Sequence, residues 1–357
     1  MKKYLLIILI PLILLSCLQP PAESSLEKIV SMPSLGWNTV PALGSSIIRS
    51  IAYDGTRHVA VGEKSYIATS RTGTSGWSTV TVAPNINFRS VVWNGKQGDE
   101  NRFVAVGYST ITDRGIIAVS NNNGTSWDTG IDVPELKVQI DGFGTMTINP
   151  KLFGIAYGNG RFVVVGEQGY SAWSNDGENW TAVWIAPFSQ YGFQINNQNA
   201  NTVVFGGGMF VTGGTMGVLA YSTSRGENWE WAANGLLGGN YDHILTITYG
   251  SGIFIAAGSQ GKMKTLNINQ SSIIPASNWV SPNSGFSNYT NINAVSYGNG
   301  VFVAAGDAGR ICMSVDASSW NAVTFNGWDS NDNIYSAAYG ACFVTGSNGL
   351  FIYGSFR

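Results

Sequence analysis

Three arginines, Arg49, Arg89 and Arg310, each open an alternating apolar stretch. If those stretches are strands, three guanidinium groups stand at strand ends facing a channel rim, and the plainer reading is that each is solvated or paired with a neighbouring acid. Acids fall at comparable places: Glu63, Glu167, Asp242, Asp307, Asp329 and Asp332. Two of them about 5–9.5 Å apart would suit glycosidic cleavage. Sequence alone brings no two together, and loop acids that keep a surface soluble are the plainer reading. His58 and His243 are the only histidines, and no Cys/His group has ligand spacing. Asp329-Asn331-Asp332 lacks the rest of a calcium loop. No glycine-rich phosphate cradle precedes a helix. We therefore expect neither metal nor cofactor, and no catalytic residue is assigned.

Binding has more material. The stretches 184–201, 231–243 and 323–333 mix aromatic rings with amides. Tyr191, Phe193, Trp231, Tyr241, Tyr289 and Trp328 offer stacking faces. Asn196, Asn197, Asn240 and Asn331 offer paired donors and acceptors. Proteins and glycans are both recognised by such mixtures. The competing reading is that these rings pack their own long loops. A net charge of -2 gives no footprint for nucleic acid.

The elements that must position these side chains are written repeatedly along the chain. A first strand ends on an aromatic: Tyr53, Trp93, Tyr157, Phe205, Tyr249, Tyr297 and Tyr339. A glycine turn follows, then a strand such as RFVVVG or VFVAAG, alternating between two faces. Its recurring aromatic is Phe103, Phe162, Phe210, Phe254, Phe302 and Phe343, with Val59 in the first copy. A third strand leads to a polar turn, and a fourth starts at Trp77, Trp127, Trp180, Trp229, Trp279 or Trp320. The first-strand aromatics lie 40 to 48 residues apart, except for 64 between Trp93 and Tyr157. That spacing suits propeller repeats, and the long gap marks an insertion around 130–152. Charged residues are only 11% of the chain while Gly numbers 45, which favours short strands and tight turns over helices.

The seventh repeat stops after three strands, and its missing tryptophan strand lies at the other terminus, around Trp37. Pairing the two removes open edges. The expectation is an all-β fold over 35–357: a seven-bladed β-propeller of four-stranded blades, closed by an N-terminal strand and monomeric.

The polar turns resemble Asp-boxes, the S-x-D-x-G-x-x-W repeats of bacterial neuraminidases. SNNNGTSW and STSRGENW keep the spacing, with Asn122 and Ser224 at the Asp position. SNDGENW and SVDASSW are one residue shorter and keep Asp176 and Asp316. The fifth copy has lost the motif. Similar repeats occur in photosystem II assembly factors, xyloglucan-degrading hydrolases and sortilin-type receptors. The resemblance implies that Asn122, Asp176, Ser224 and Asp316 are structural turn residues, on the face away from a central ligand site. A neuraminidase would also need an arginine triad, but its F-R-I-P-like start is absent. The nearest string is Phe88-Arg89-Ser90-Val91.

At the start of the chain, Lys2 and Lys3 precede an apolar run too short to span a bilayer. Leu14-Leu15-Ser16-Cys17 resembles the bacterial lipobox. This implies a signal peptide over 1–16, acylation of Cys17, and a flexible tether over 17–34. Leu18 after the cysteine favours the outer membrane as the address within the envelope. Only Cys312 and Cys342 remain, either bridged or as two free thiols. The function expected is a lipid-anchored binding or scaffold protein recognising a protein or glycan, without turnover. The alternative is a glycoside hydrolase of neuraminidase-like or xyloglucanase-like descent.

Overall fold

A computed structural model describes residues 35–39, 46–140, 144–185, 198–233, 235–239, 242–268, 276–323, 332–338, 343–346 and 351–356. Among them, strands form six four-stranded antiparallel blades, one three-stranded sheet and a separate two-stranded hairpin. The chain is thus a β-propeller in which each blade follows the repeat read from sequence. Inner strands run Ile48–Tyr53, Ile86–Trp93, Leu152–Gly158, Ala200–Gly206, Ile244–Gly250, Ile292–Gly298 and Ile334–Ala338. Each packs beside the next, and the last packs beside the first. Leu35–Thr39 pairs antiparallel with Phe351–Phe356, from Leu35 opposite Phe356 to Thr39 opposite Ile352.

The expectation of seven four-stranded blades needs correction: six are found among the described residues, and the fifth repeat has only three strands, Ile244–Gly250, Ile253–Gly258 and Met263–Asn267. An outer strand begins one residue after the turn tryptophan elsewhere, at Ser78, Asp128, Thr181, Glu230 and Asn321. Near Trp279 the polar turn motif is absent, and only an isolated bridge joins Thr265 to Val280. Trp279 is nonetheless buried in the local core. The insertion is also more than a loop. Leu136–Ile140 and Gly144–Ile148 form a hairpin whose Val138 and Ile148 join the core between the second and third blades.

Burial explains the repeated aromatics. Phe103, Phe162, Phe210, Phe254 and Phe302 are fully buried. Cross-strand pairs set Tyr157 against Phe162, Phe205 against Phe210, Tyr249 against Phe254 and Tyr297 against Phe302, with ring centroids 4.6–4.9 Å apart. The glycine after Tyr157, Phe205 and Tyr249 makes room for the next blade. A Cβ on Gly158 would lie 1.9 Å from the Phe205 ring, and one on Gly250 would lie 2.0 Å from Tyr297.

In the first blade the register places His58, not Val59, opposite Tyr53. The imidazole stacks on that ring at 4.2 Å, so it occupies the phenylalanine position. Burial lowers its proton affinity against weaker opposing effects of the Ser70 backbone and Asp54. A lowered folded-state value means stability present at neutral pH and lost as acid charges the buried ring. His58→Phe should therefore raise the melting temperature, and the gain should widen from pH 7.5 to pH 5.5. Parallel thermal unfolding curves for the two proteins would count against this account.

The polar turns are held as the residue types suggested. Asp176 accepts backbone N–H bonds from Glu178 and Asn179, both at 2.8 Å. Asp316 does the same for Ser318 and Ser319. Asn122 accepts from Ser126 N–H, and Ser224 from Asn228 N–H. Burial would raise the two aspartates, but these amides outweigh it and hold both down at about 2. Trp127, Trp180 and Trp320 donate their ring N–H to turn carbonyls. Cys312 is a buried free thiol, and Cys342 lies outside the described residues.

Candidate functional site

Near the start of each inner strand the pairing skips one residue: the register slips across Arg49, Arg89, Phe153, Asn201, Leu245, Asn293 and Tyr335. Such bulges re-aim one side chain and are frequent beside functional sites. All seven residues line one central mouth of about 390 Å³. The site is therefore a ring of equivalent positions, one per repeat.

The strand-end glycine of VAVG, RFVVVG and VFVAAG permits the bulge. A Cβ on Gly62, Gly107, Gly166, Gly258 or Gly306 would lie 1.9–2.2 Å from the carbonyl oxygen two residues before the bulged residue of the facing inner strand. The backbone of Gly166 and Gly306 is extended there, so close approach and not an unusual dihedral demands glycine.

The seven residues divide the mouth into two walls. On one, Arg49 donates from Nε to Glu63 Oε1 at 3.0 Å and also from Nη2. Its guanidinium lies 4.2 Å from the Tyr335 ring centroid. Arg89 stands beside it, 5.8 Å from the Phe153 ring. Among the described residues Arg89 forms no ion pair. Burial and the neighbouring Arg49 both disfavour its charge and lower its proton affinity. Tyr108, Glu63 and Tyr335 oppose this more weakly. A guanidinium remains protonated all the same, so among the described residues this wall holds two cations, Arg49 and Arg89, against the one carboxylate of Glu63.

On the other wall Asn201 donates from Nδ2 to Ile244 O at 2.9 Å. Asn293 donates to Asp307 Oδ1 and to Ile334 O. Their amide nitrogens are thus committed to neighbouring backbone or carboxylate. Among the described residues no donor reaches either Oδ1, so the wall presents acceptors. The mouth as a whole suits a ligand bearing a carboxylate together with N–H donors.

The structure brings Arg49 and Arg89 together, but Arg310 does not line the mouth and stacks near Phe286. Glu63, Glu167 and Asp307 are engaged: Glu63 by Arg49, Glu167 by Lys151 N–H, and Asp307 by Asn291 N–H and Asn293. Asp242 is buried against Lys262. No carboxylate is among the described mouth-lining residues. Of the aromatic ligand candidates, Trp231 is half exposed on the outermost strand of the fourth blade, away from the mouth. Tyr289 is almost fully exposed in the segment before Ile292–Gly298. Tyr191, Phe193, Tyr241 and Trp328 lie outside the described residues. Sequence reasoning missed Phe153, Asn201, Leu245, Asn293 and Tyr335. The available signal was their place: each is the second residue of its inner strand.

No family model and no curated protein matches the chain. Solved structures do. YCF48 from Cyanidioschyzon merolae is similar with a TM-score of 0.64 at 15% identity, covering 89% of this chain and 98% of that one. A structure of YCF48 bound to D1 peptide gives 0.61 at 17% identity, covering 92% and 100%. The WD40 beta propeller domain of Doa1 gives 0.63 at 12% identity, covering 91% and 98%. At these identities the likeness is one of fold, and the chain stands beside them as a β-propeller.

Proposed function

We propose that this protein is a binding propeller that captures a protein partner by a peptide segment carrying a free carboxylate, seated in the central mouth. The observation that carries this reading is Arg89: a half-buried guanidinium with no ion pair among the described residues, held by a bulge beside open carbonyl acceptors. A ligand carboxylate supplies the missing charge, and peptide N–H groups suit the Asn201 and Asn293 oxygens. The neighbour solved with D1 peptide supports the choice of ligand class by analogy of fold. The architecture we infer is a seven-fold ring closed by the pairing of Leu35–Thr39 with Phe351–Phe356, with the three-stranded sheet as its fifth member. Trp231 and Tyr289 are proposed as accessory contacts for the body of the partner. The test is fluorescence anisotropy with short labelled peptides, each made with a free and with an amidated C-terminus and with or without acidic side chains. Binding of the carboxylate forms alone is expected. Equal binding of neutral peptides, or binding of neutral glycans in their place, would remove the mouth reading.

We also propose acylation at Cys17 and anchoring in the bacterial envelope, supported by the lipobox-like string. Labelling with a palmitate analogue should mark the full chain and lose the mark in Cys17→Ser. Equal labelling of both chains would sink that proposal.

A further inference from the structure

One hydrogen bond ties the turn after a repeat's second strand to the residue two positions before the bulge of the next inner strand. Lys64 N–H donates to Asn87 Oδ1, Gln168 N–H to Asn199 Oδ1, Gln260 N–H to Asn291 Oδ1 and Ala308 N–H to Asn333 Oδ1. In the fourth repeat the acceptor differs: Met216 N–H donates to His243 Nδ1 at 3.0 Å. All five donors sit at positive φ, between 56° and 60°. The five bonds are therefore equivalent latches, four closed by a carboxamide and one by an imidazole.

That difference has a chemical consequence. A carboxamide oxygen accepts at any ordinary pH, whereas an imidazole nitrogen accepts only while unprotonated. A proton on Nδ1 would set two N–H donors head to head. We propose that His243 is a proton-operated latch between the fourth blade and the three-stranded sheet, closed when the ring is neutral and released when it is charged.

The surroundings favour a local event. His243 stays held by its backbone, donating to Ser259 Oγ and accepting from Ser259 N–H. The charge beside it in the chain, Asp242, is paired with Lys262 at 2.6 Å. Gln198 and Asn199, which lead into the fourth blade, carry no charge. The turn in question also receives Gly235 N–H at Met216 O and Leu236 N–H at Gly217 O. Release of the latch therefore loosens the segment 235–239 as well. His243 lies two residues before the mouth-lining Leu245, so acid would slacken that part of the rim.

Hydrogen exchange tests this in the full-length chain, with His58→Phe as background so that His243 is the sole histidine. Protection of the Met216 amide, corrected for intrinsic exchange, should fall about tenfold between pH 7.5 and pH 5.5, as expected for loss of one bond. In His58→Phe/His243→Asn, which restores the carboxamide, protection should be independent of pH. An equal response in both chains, or no response in either, would overturn the proposal.

Discussion

Arg89→Gln should lower affinity for a carboxylate-ended peptide by about tenfold to a hundredfold, the scale of losing one desolvated charge pair. The same change should leave the fold intact and raise the melting temperature slightly. Arg89 costs free energy in the unliganded protein, because its charge is half withdrawn from water and repelled by Arg49. A residue kept at a cost to stability is expected where function needs it. Arg49→Gln should behave differently. It strands Glu63, which now accepts from Arg49, and removes the guanidinium over Tyr335. Stability and binding should then fall together. Anisotropy with free-acid and amidated peptides, beside thermal unfolding of each variant, separates the two cases. If Arg89→Gln binds as tightly as the parent, the cation is not the ligand's anchor.

Gly107→Ala should be among the most damaging single-methyl additions to the chain. The new Cβ would lie 2.1 Å from Asn87 O and 2.8 Å from Phe88 Cα, both backbone atoms that no rotamer change can clear. Overpacking of this kind costs about 3 kcal/mol, at the upper end of its usual range. The strained segment is the bulge that aims Arg89. Even a protein folded well enough to purify should bind carboxylate peptides poorly. Gly95→Ala gives the contrast in the same blade. Gly95 has positive φ, but its Cβ would meet open space. Dihedral strain of about 1 kcal/mol is then the only cost, and binding should survive. Denaturant unfolding of the two variants, read with peptide titrations, would reverse the explanation if Gly95→Ala proved the worse.

Much of this follows from local chemistry already visible in the chain. The Tyr-Gly and Phe-Gly pairs, the alternating strands and the Ser-x-Asp turns each dictate a conformation within a few residues. Repeated, they specify blades of antiparallel strands. Asp176 and Asp316 could be read as turn residues because their partners lie two and three positions away. His58 was harder, since only cross-strand register shows that it, and not Val59, faces Tyr53. The three-stranded fifth repeat was half legible: the lost turn motif was visible, but its effect on pairing was not.

The mouth was decided by tertiary structure. Arg49, Arg89, Phe153, Asn201, Leu245, Asn293 and Tyr335 have no residue type common to all, and the bulge shifts the strict alternation, with buried positions three apart at Ile48 and Ile51 and at Ala200 and Val203. Their common address exists only once the inner strands stand side by side. Whether an arginine is neutralised is likewise a matter of neighbours: Arg49 pairs with Glu63 from its own blade, and Arg89 forms no ion pair among the described residues. Sequence by itself determined the repeat, because hydrogen-bonded turns and strand alternation act over short distances. The tertiary structure alone decided which seven side chains converge, because that depends on how whole blades pack.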